Sequence, residues 1–291
     1  MLYDPLAWFT WACIFLGAAC VWLQPPRWSM HATLLLACGY TAATLDLLLS
    51  WEALAILAVL FIAGCAVQPR RHPSLRFCGH AIYVATAVAL SIHVLPGFDN
   101  PMVINAMRTT PDAAPFTMYL NLDKPLAGFW IVLALPWMAC RRFWRQAFPA
   151  TGLALALAVP ICMILAVALG MVHWAPKIPP YSLIWILNNL LLVCVAEEAF
   201  FRGYVQGGLS RLLGNGELAR NGAWILSAVL FGFAHYAGGW RWMLLAGVAG
   251  LAYGLAYRRG GLRAAVLTHF GLNAVHFFFF TYPALQMPPT Q

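Results

Sequence analysis

The sequence predicts an all-α fold: a polytopic transmembrane helical bundle of about ten spans, with its chemistry in the C-terminal half. Three observations lead there. The 291-residue chain is 63% hydrophobic and only 9% charged, against about 25% charged residues in a soluble domain. So few charges cannot cover a water-facing surface. The apolar residues also fall into unbroken runs of about 16–22 that do not alternate, and in lipid such runs select helices over barrel strands. Finally, ionisable side chains inside the runs concentrate after residue 149.

Taken in order, the expected spans are 6–23, 31–49, 51–67, 78–95, 125–140, 151–172, 181–209, 222–238, 240–257 and 262–280. The first has no basic leader and no A-x-A site before or after it, so it is expected to be retained. The second and third nearly touch, with Asp46 and Glu52 at the connection in interfacial positions. Pro136 and Pro160 are candidate kinks in the fifth and sixth. The ninth carries Gly247, Gly250 and Gly254, a small-residue face that lets neighbouring helices approach.

The net charge of +8 does not point to nucleic acid, because the cations sit in short connections. Arg70, Arg71 and Arg76 follow the third run; Arg141, Arg142 and Arg145 follow the fifth. Arg211 and Arg220 follow the seventh, and Arg258, Arg259 and Arg263 surround the last connection. These alternate with arginine-poor loops, the longest being 98–124. The positive-inside rule places the arginine-rich side in the cytoplasm and both termini outside. The expected location is a bacterial inner membrane, crossed many times. Cys13, Cys20, Cys38, Cys65, Cys78, Cys140, Cys162 and Cys194 occur singly with no C-x-x-C. They read as packing residues rather than disulfides or metal ligands.

The chain is organised around 193–203, V-C-V-A-E-E-A-F-F-R-G. An ionised side chain at mid-membrane costs about 2.5–3.5 kcal/mol on insertion scales, so two adjacent carboxylates need a partner or a task. Arg202 lies one turn after Glu198, the favourable orientation for an ion pair. Glu197 is rotated by about 100° and has no such partner in its own helix. Two later spans supply further polar groups. F-G-F-A-H ends in His235, and T-H-F-G-L-N-A-V-H places His269, Asn273 and His276 on one face. Singly, each reads as an interhelical hydrogen bonder. Together, a carboxylate, two imidazoles and an amide supply what hydrolysis in a membrane needs: a base to activate water and donors for the oxyanion.

E-E-A-F-F-R, F-G-F-A-H and H-F-G-L-N, in that order, resemble the motifs of the CPBP family: the CAAX proteases and bacteriocin-processing enzymes, also called Abi proteins. The three motifs cover roughly residues 180–280. The resemblance implies a glutamic intramembrane endopeptidase acting on a membrane-anchored protein or peptide. Matched residue by residue, Glu197 would activate water with His235, His269 and Asn273 would form the oxyanion hole, and Glu198 and Arg202 would be a structural ion pair. His276 lies outside the family motif. No cofactor is expected; the alternative is zinc held by Glu197, His235 and His269, although H-E-x-x-H is absent. Residues 146–291 would be the protease core, and 1–145 a substrate or partner module. A proton-coupled transporter and a non-catalytic immunity or scaffold protein are the competing readings. The halves show no matching repeat of the kind a transporter would carry.

Overall fold

The computed structural model describes residues 4–23, 29–138, 144–214 and 216–286. The chain is mostly helical. Its elements are α1 (Pro5–Leu23), α2 (Ser29–Leu45), α3 (Trp51–Ala66), α4 (Pro73–Ser91), β1 (Met102–Met107), β2 (Phe116–Tyr119) and α5 (Lys124–Ala134). They continue with α6 (Trp144–Ala168), α7 (Ser182–Leu212), α8 (Glu217–Phe233) and α9 (Trp240–Phe279). The antiparallel β1–β2 hairpin is an exception to the all-α expectation. It lies in the long 98–124 connection, where Val103, Ile104, Phe116, Thr117 and Tyr119 supply the β-branched and aromatic side chains that favour strands.

Among the described residues, three helices are long and apolar enough to cross a membrane: Pro5–Leu23, Trp144–Ala168 and Ser182–Leu212. This makes the chain an integral membrane protein, while the expected ten spans exceed what length and composition qualify. The clearest correction is the run 125–140. Its helix, α5, has 11 residues, about 16 Å at 1.5 Å per residue, roughly half the hydrocarbon thickness. It stops before Pro136, with Leu135 in the extended conformation that a following proline imposes. Cys140, Arg141 and Arg142 lie outside the described residues. Pro160 stays inside an uninterrupted α6.

Chain packing divides the molecule into two compact units. The first comprises residues up to Pro101, with 120–140 and 191–200. Here α5 is the hub, burying Leu126, Ala127, Gly128, Phe129 and Ile131. Tyr83 of α4 stacks on Trp130 at 4.3 Å and its hydroxyl donates to the Ala127 carbonyl at 3.0 Å. The α5 backbone also meets α7 directly: a Cβ at Gly128 would lie 2.3 Å from the Ala196 Cα. A helix enclosed by protein is apolar for the same reason as one enclosed by lipid, which explains why α5 reads as a span.

The second unit comprises 102–119, 141–190 and everything from Phe201 onward. α9 is the largest element here, and it is bent. Gly261 adopts φ 75°, ψ −168°, a combination essentially confined to glycine, and it folds the helix into two arms. Tyr253 on one arm stacks on His269 of the other at 4.5 Å. The first arm also seats α8 as its glycines suggest: a Cβ at Gly250 would be 3.2 Å from the Ala228 Cα. At one end of this unit the hairpin joins an aromatic cluster in which Trp185 stacks on Phe277 at 3.9 Å. Asp112 meets His173 there, and the Thr109 hydroxyl donates to the Tyr282 carbonyl at 2.6 Å. No disulfide joins the described cysteines; Cys13, Cys162 and Cys194 are buried, whereas Cys38 and Cys78 are exposed.

Candidate functional site

α7 contributes to both units and is not a regular helix. Residues Asn188–Cys194 and Ala199–Gln206 are wound as π-helix on either side of the short α-helical stretch Val195–Glu198. Such widened turns are rare and recur at functional sites. The two glutamates therefore sit between two irregular segments.

Within the first unit, Glu197 is mostly buried and its Oε1 accepts from the Lys124 Nζ at 2.6 Å. A partner for Glu197 comes from outside its own helix, from the first residue of α5. Lys124 is the residue that sequence reasoning missed, because it stands 73 positions away at the end of a loop. Glu198 and Arg202 are both fully buried. The Arg202 guanidinium lies 4.5 Å from the Phe231 ring centroid and 5.3 Å from that of Tyr253, and donates to the Gly250 carbonyl at 3.2 Å.

Within the second unit, residues from two of the sequence motifs meet. A cavity of about 100 Å³ is lined by Phe231, His235, Tyr253, His269, Asn273 and His276, among others. One water needs only about 10–15 Å³ by the same kind of measure, so there is room for several. The His235 Nδ1 is 2.9 Å from the Phe231 carbonyl. A carbonyl only accepts, so this nitrogen carries the proton, and in the neutral ring Nε2 is left as an acceptor. The His269 ring is held between Tyr253 and the edge of Phe231, at 5.7 Å from the latter. The Asn273 Nδ2 donates to the Asn189 Oδ1 at 3.2 Å. That bond fixes which end of each amide faces which way. The Asn188-Asn189 pair in an apolar run was the available signal for this partner.

Phe231 and Tyr253 are thus shared. They lie beside the Arg202 guanidinium and also hold His269 in place. Arg202 thus lies behind two of the rings that line the cavity. His276, outside the family motif, lines the same cavity; its Nε2 bonds to the Thr281 carbonyl at 3.2 Å, so it donates there.

Among the described residues, no three His, Cys, Asp or Glu side chains form a cluster that could hold a metal ion. The zinc alternative at Glu197, His235 and His269 is therefore left to experiment.

Residues 179–275 match the family described as type II CAAX prenyl endopeptidase, Rce1-like. No curated protein and no solved structure gives a match. The matched third of the chain contains Glu197, Glu198, Arg202, His235, His269 and Asn273, and at the family level it supports a CAAX-type intramembrane protease. Through residues 179–275 the chain is related to the CPBP family of CAAX proteases.

Proposed function

We propose that this protein is a glutamic intramembrane endopeptidase that hydrolyses a peptide bond near the membrane anchor of a protein or peptide. The observation that carries the reading is the cavity of about 100 Å³ that gathers His235, His269 and Asn273 from two separate motifs. In the proposed reaction Glu197 takes a proton from a water whose oxygen attacks the scissile carbonyl carbon. His235, through its unprotonated Nε2, holds that water. His269 and Asn273 donate to the oxyanion, a task for which fixed donors in a dry site are worth far more than in water. Collapse of the tetrahedral intermediate breaks the C–N bond, and the leaving amine takes the proton from Glu197.

Glu198 and Arg202 are assigned the structural pairing. Residues 146–291 form the core of the proposed enzyme, and 1–145 a module that selects the substrate or a partner. The arginine-rich connections face the cytoplasm, in a bacterial inner membrane crossed several times. No metal takes part in this proposal.

The test is cleavage in reconstituted vesicles of a library of lipid-anchored and membrane-spanning tails, comparing wild type, Glu197→Gln and wild type with chelator. Loss in the variant alone is expected. Loss with chelator as well would replace the mechanism by a metal-dependent one. Undiminished cleavage by Glu197→Gln would remove Glu197 from the chemistry.

A further inference from the structure

The Lys124–Glu197 contact is more than a chance surface pair. Both groups lie within the first unit, and their side chains are 25% and 12% exposed. A lysine on a flexible stem usually costs side-chain entropy to hold in one geometry. Here the backbone beneath it is fixed from three directions. The Asp123 Oδ1 accepts from the Lys124 backbone N–H at 2.7 Å, and Asp123 is itself buried. The other Asp123 oxygen meets the His93 Nδ1 at 2.6 Å, and Asn100 donates to Oδ1 at 3.2 Å. Asn100 in turn accepts from the Leu122 N–H at 2.7 Å, while the Tyr40 hydroxyl donates to the Leu122 carbonyl at 2.7 Å. Pro125 follows, with its backbone angle preset for a helix start.

The far side is equally fixed. Gly128, one turn along α5, allows backbone-to-backbone contact with Ala196, the residue before Glu197. The start of α5 is thus clamped by an aspartate cap, and its next turn is pressed against the glutamate's own helix. Side-chain length then decides where the ammonium arrives, and it arrives on Oε1. One oxygen of the carboxylate is occupied, which orients the other.

The geometry points to Lys124 as a positioning residue for Glu197: an ammonium delivered by a fixed helix start that holds one carboxylate oxygen and so sets the direction of the second. This role rests on the reading of Glu197 as the water-activating base. Lys124 would act through the glutamate and not on the substrate itself. It lies outside the matched segment 179–275, so the catalytic glutamate would depend on a residue of the N-terminal region.

Two experiments test it on the full chain. The first is a double-mutant cycle in detergent with Lys124→Met, Glu197→Gln and both, read as thermal unfolding midpoints. Non-additive shifts are expected, because each single change strands a charge that the double change removes. Additive shifts would overturn the pair. The second is steady-state kinetics on the best-cleaved tail of the vesicle screen. Lys124→Met should lower kcat about 100-fold, the scale of a misplaced catalytic group, with KM little changed, and Lys124→Arg should restore much of the rate. Wild-type kcat in Lys124→Met, or a loss confined to KM, would overturn the positioning role while leaving Glu197 as base. Full activity in Glu197→Gln would instead overturn the proposed mechanism, and the cycle would still decide whether the pair exists.

Discussion

Replacing Gly128 by alanine adds one methyl group where two helix backbones meet most closely among the described glycines. The new Cβ would lie 2.3 Å from the Ala196 Cα, 2.9 Å from its carbonyl oxygen and 3.0 Å from its carbonyl carbon. Carbon atoms in contact prefer about 3.5–4.0 Å, so the helices must part by about 1.2 Å or more. No rotamer change relieves a clash with backbone. Overpacking of this kind costs about 1–3 kcal/mol, and backbone contact belongs at the upper end. Alanine returns about 1 kcal/mol of helix propensity over glycine. A net loss of about 2 kcal/mol follows. The same displacement carries Lys124 out of hydrogen-bond range of Glu197, so cleavage should fall about 100-fold as well. Unfolding in detergent and cleavage in vesicles read the two effects. Gly152 of α6 is the control, since a Cβ there meets nothing within 4 Å; its alanine variant should be neutral or stabilised by up to about 1 kcal/mol. Gly128→Ala with wild-type stability and activity would refute the reasoning, as would equal damage from Gly152→Ala.

Further predictions concern the cavity, its support and the membrane-external clasp. Asn273→Ala should lower kcat by about 10²–10³, the usual cost of one oxyanion donor, with folding intact by circular dichroism. Arg202→Met should destabilise by about 2–4 kcal/mol, since it removes a buried cation from two rings and a carbonyl; lysine should rescue it poorly, having no planar face to stack, and the unfolding midpoint reads both variants. The Asp112–His173 clasp should depend on pH. Its hydrogen bond to His173, and then that to Thr110, holds Asp112 below its ordinary 3.8, while the same bond to Asp112 raises His173 above 6.5. The aspartate's contribution is present above 3.8 and lost as pH falls through its lowered value. The histidine's is present below 6.5 and lost as pH rises through its raised value. Amide protection at Ala114 and Thr281 should therefore be greatest between these limits, and Asp112→Asn should flatten the profile.

What the sequence made legible is the chemistry carried by side chains inside apolar runs. Glu197, His235, His269 and Asn273 stood out because a polar group in such a run needs a reason, and three of the four line one cavity. Less legible was whatever depends on distance in the chain or on backbone winding. Lys124 looked like a loop cation, and no local pattern connects it to Glu197. The π-helical segments of α7 leave no side-chain signature, since an i→i+5 bond uses only backbone. α5 reads as a span in the sequence because burial in protein and burial in lipid select the same residues. His276 lies outside the motif, although its spacing from His269 places it on the same face.

The single-residue bend at Gly261 has a consequence for how this region tolerates change in length. Tyr253 and His269 each lie eight residues from Gly261, and their rings meet face to face. An ordinary connecting loop absorbs insertions, but here nothing lies between the arms to do so. One residue added on either side of Gly261 would turn the arm beyond it by about 100°, carrying His269 away from Tyr253 and emptying one wall of the cavity. Length between positions 253 and 269 is therefore fixed more strictly than identity: many substitutions on the outer surface of either arm should be tolerated, whereas any insertion or deletion should abolish the site in a protein that otherwise folds.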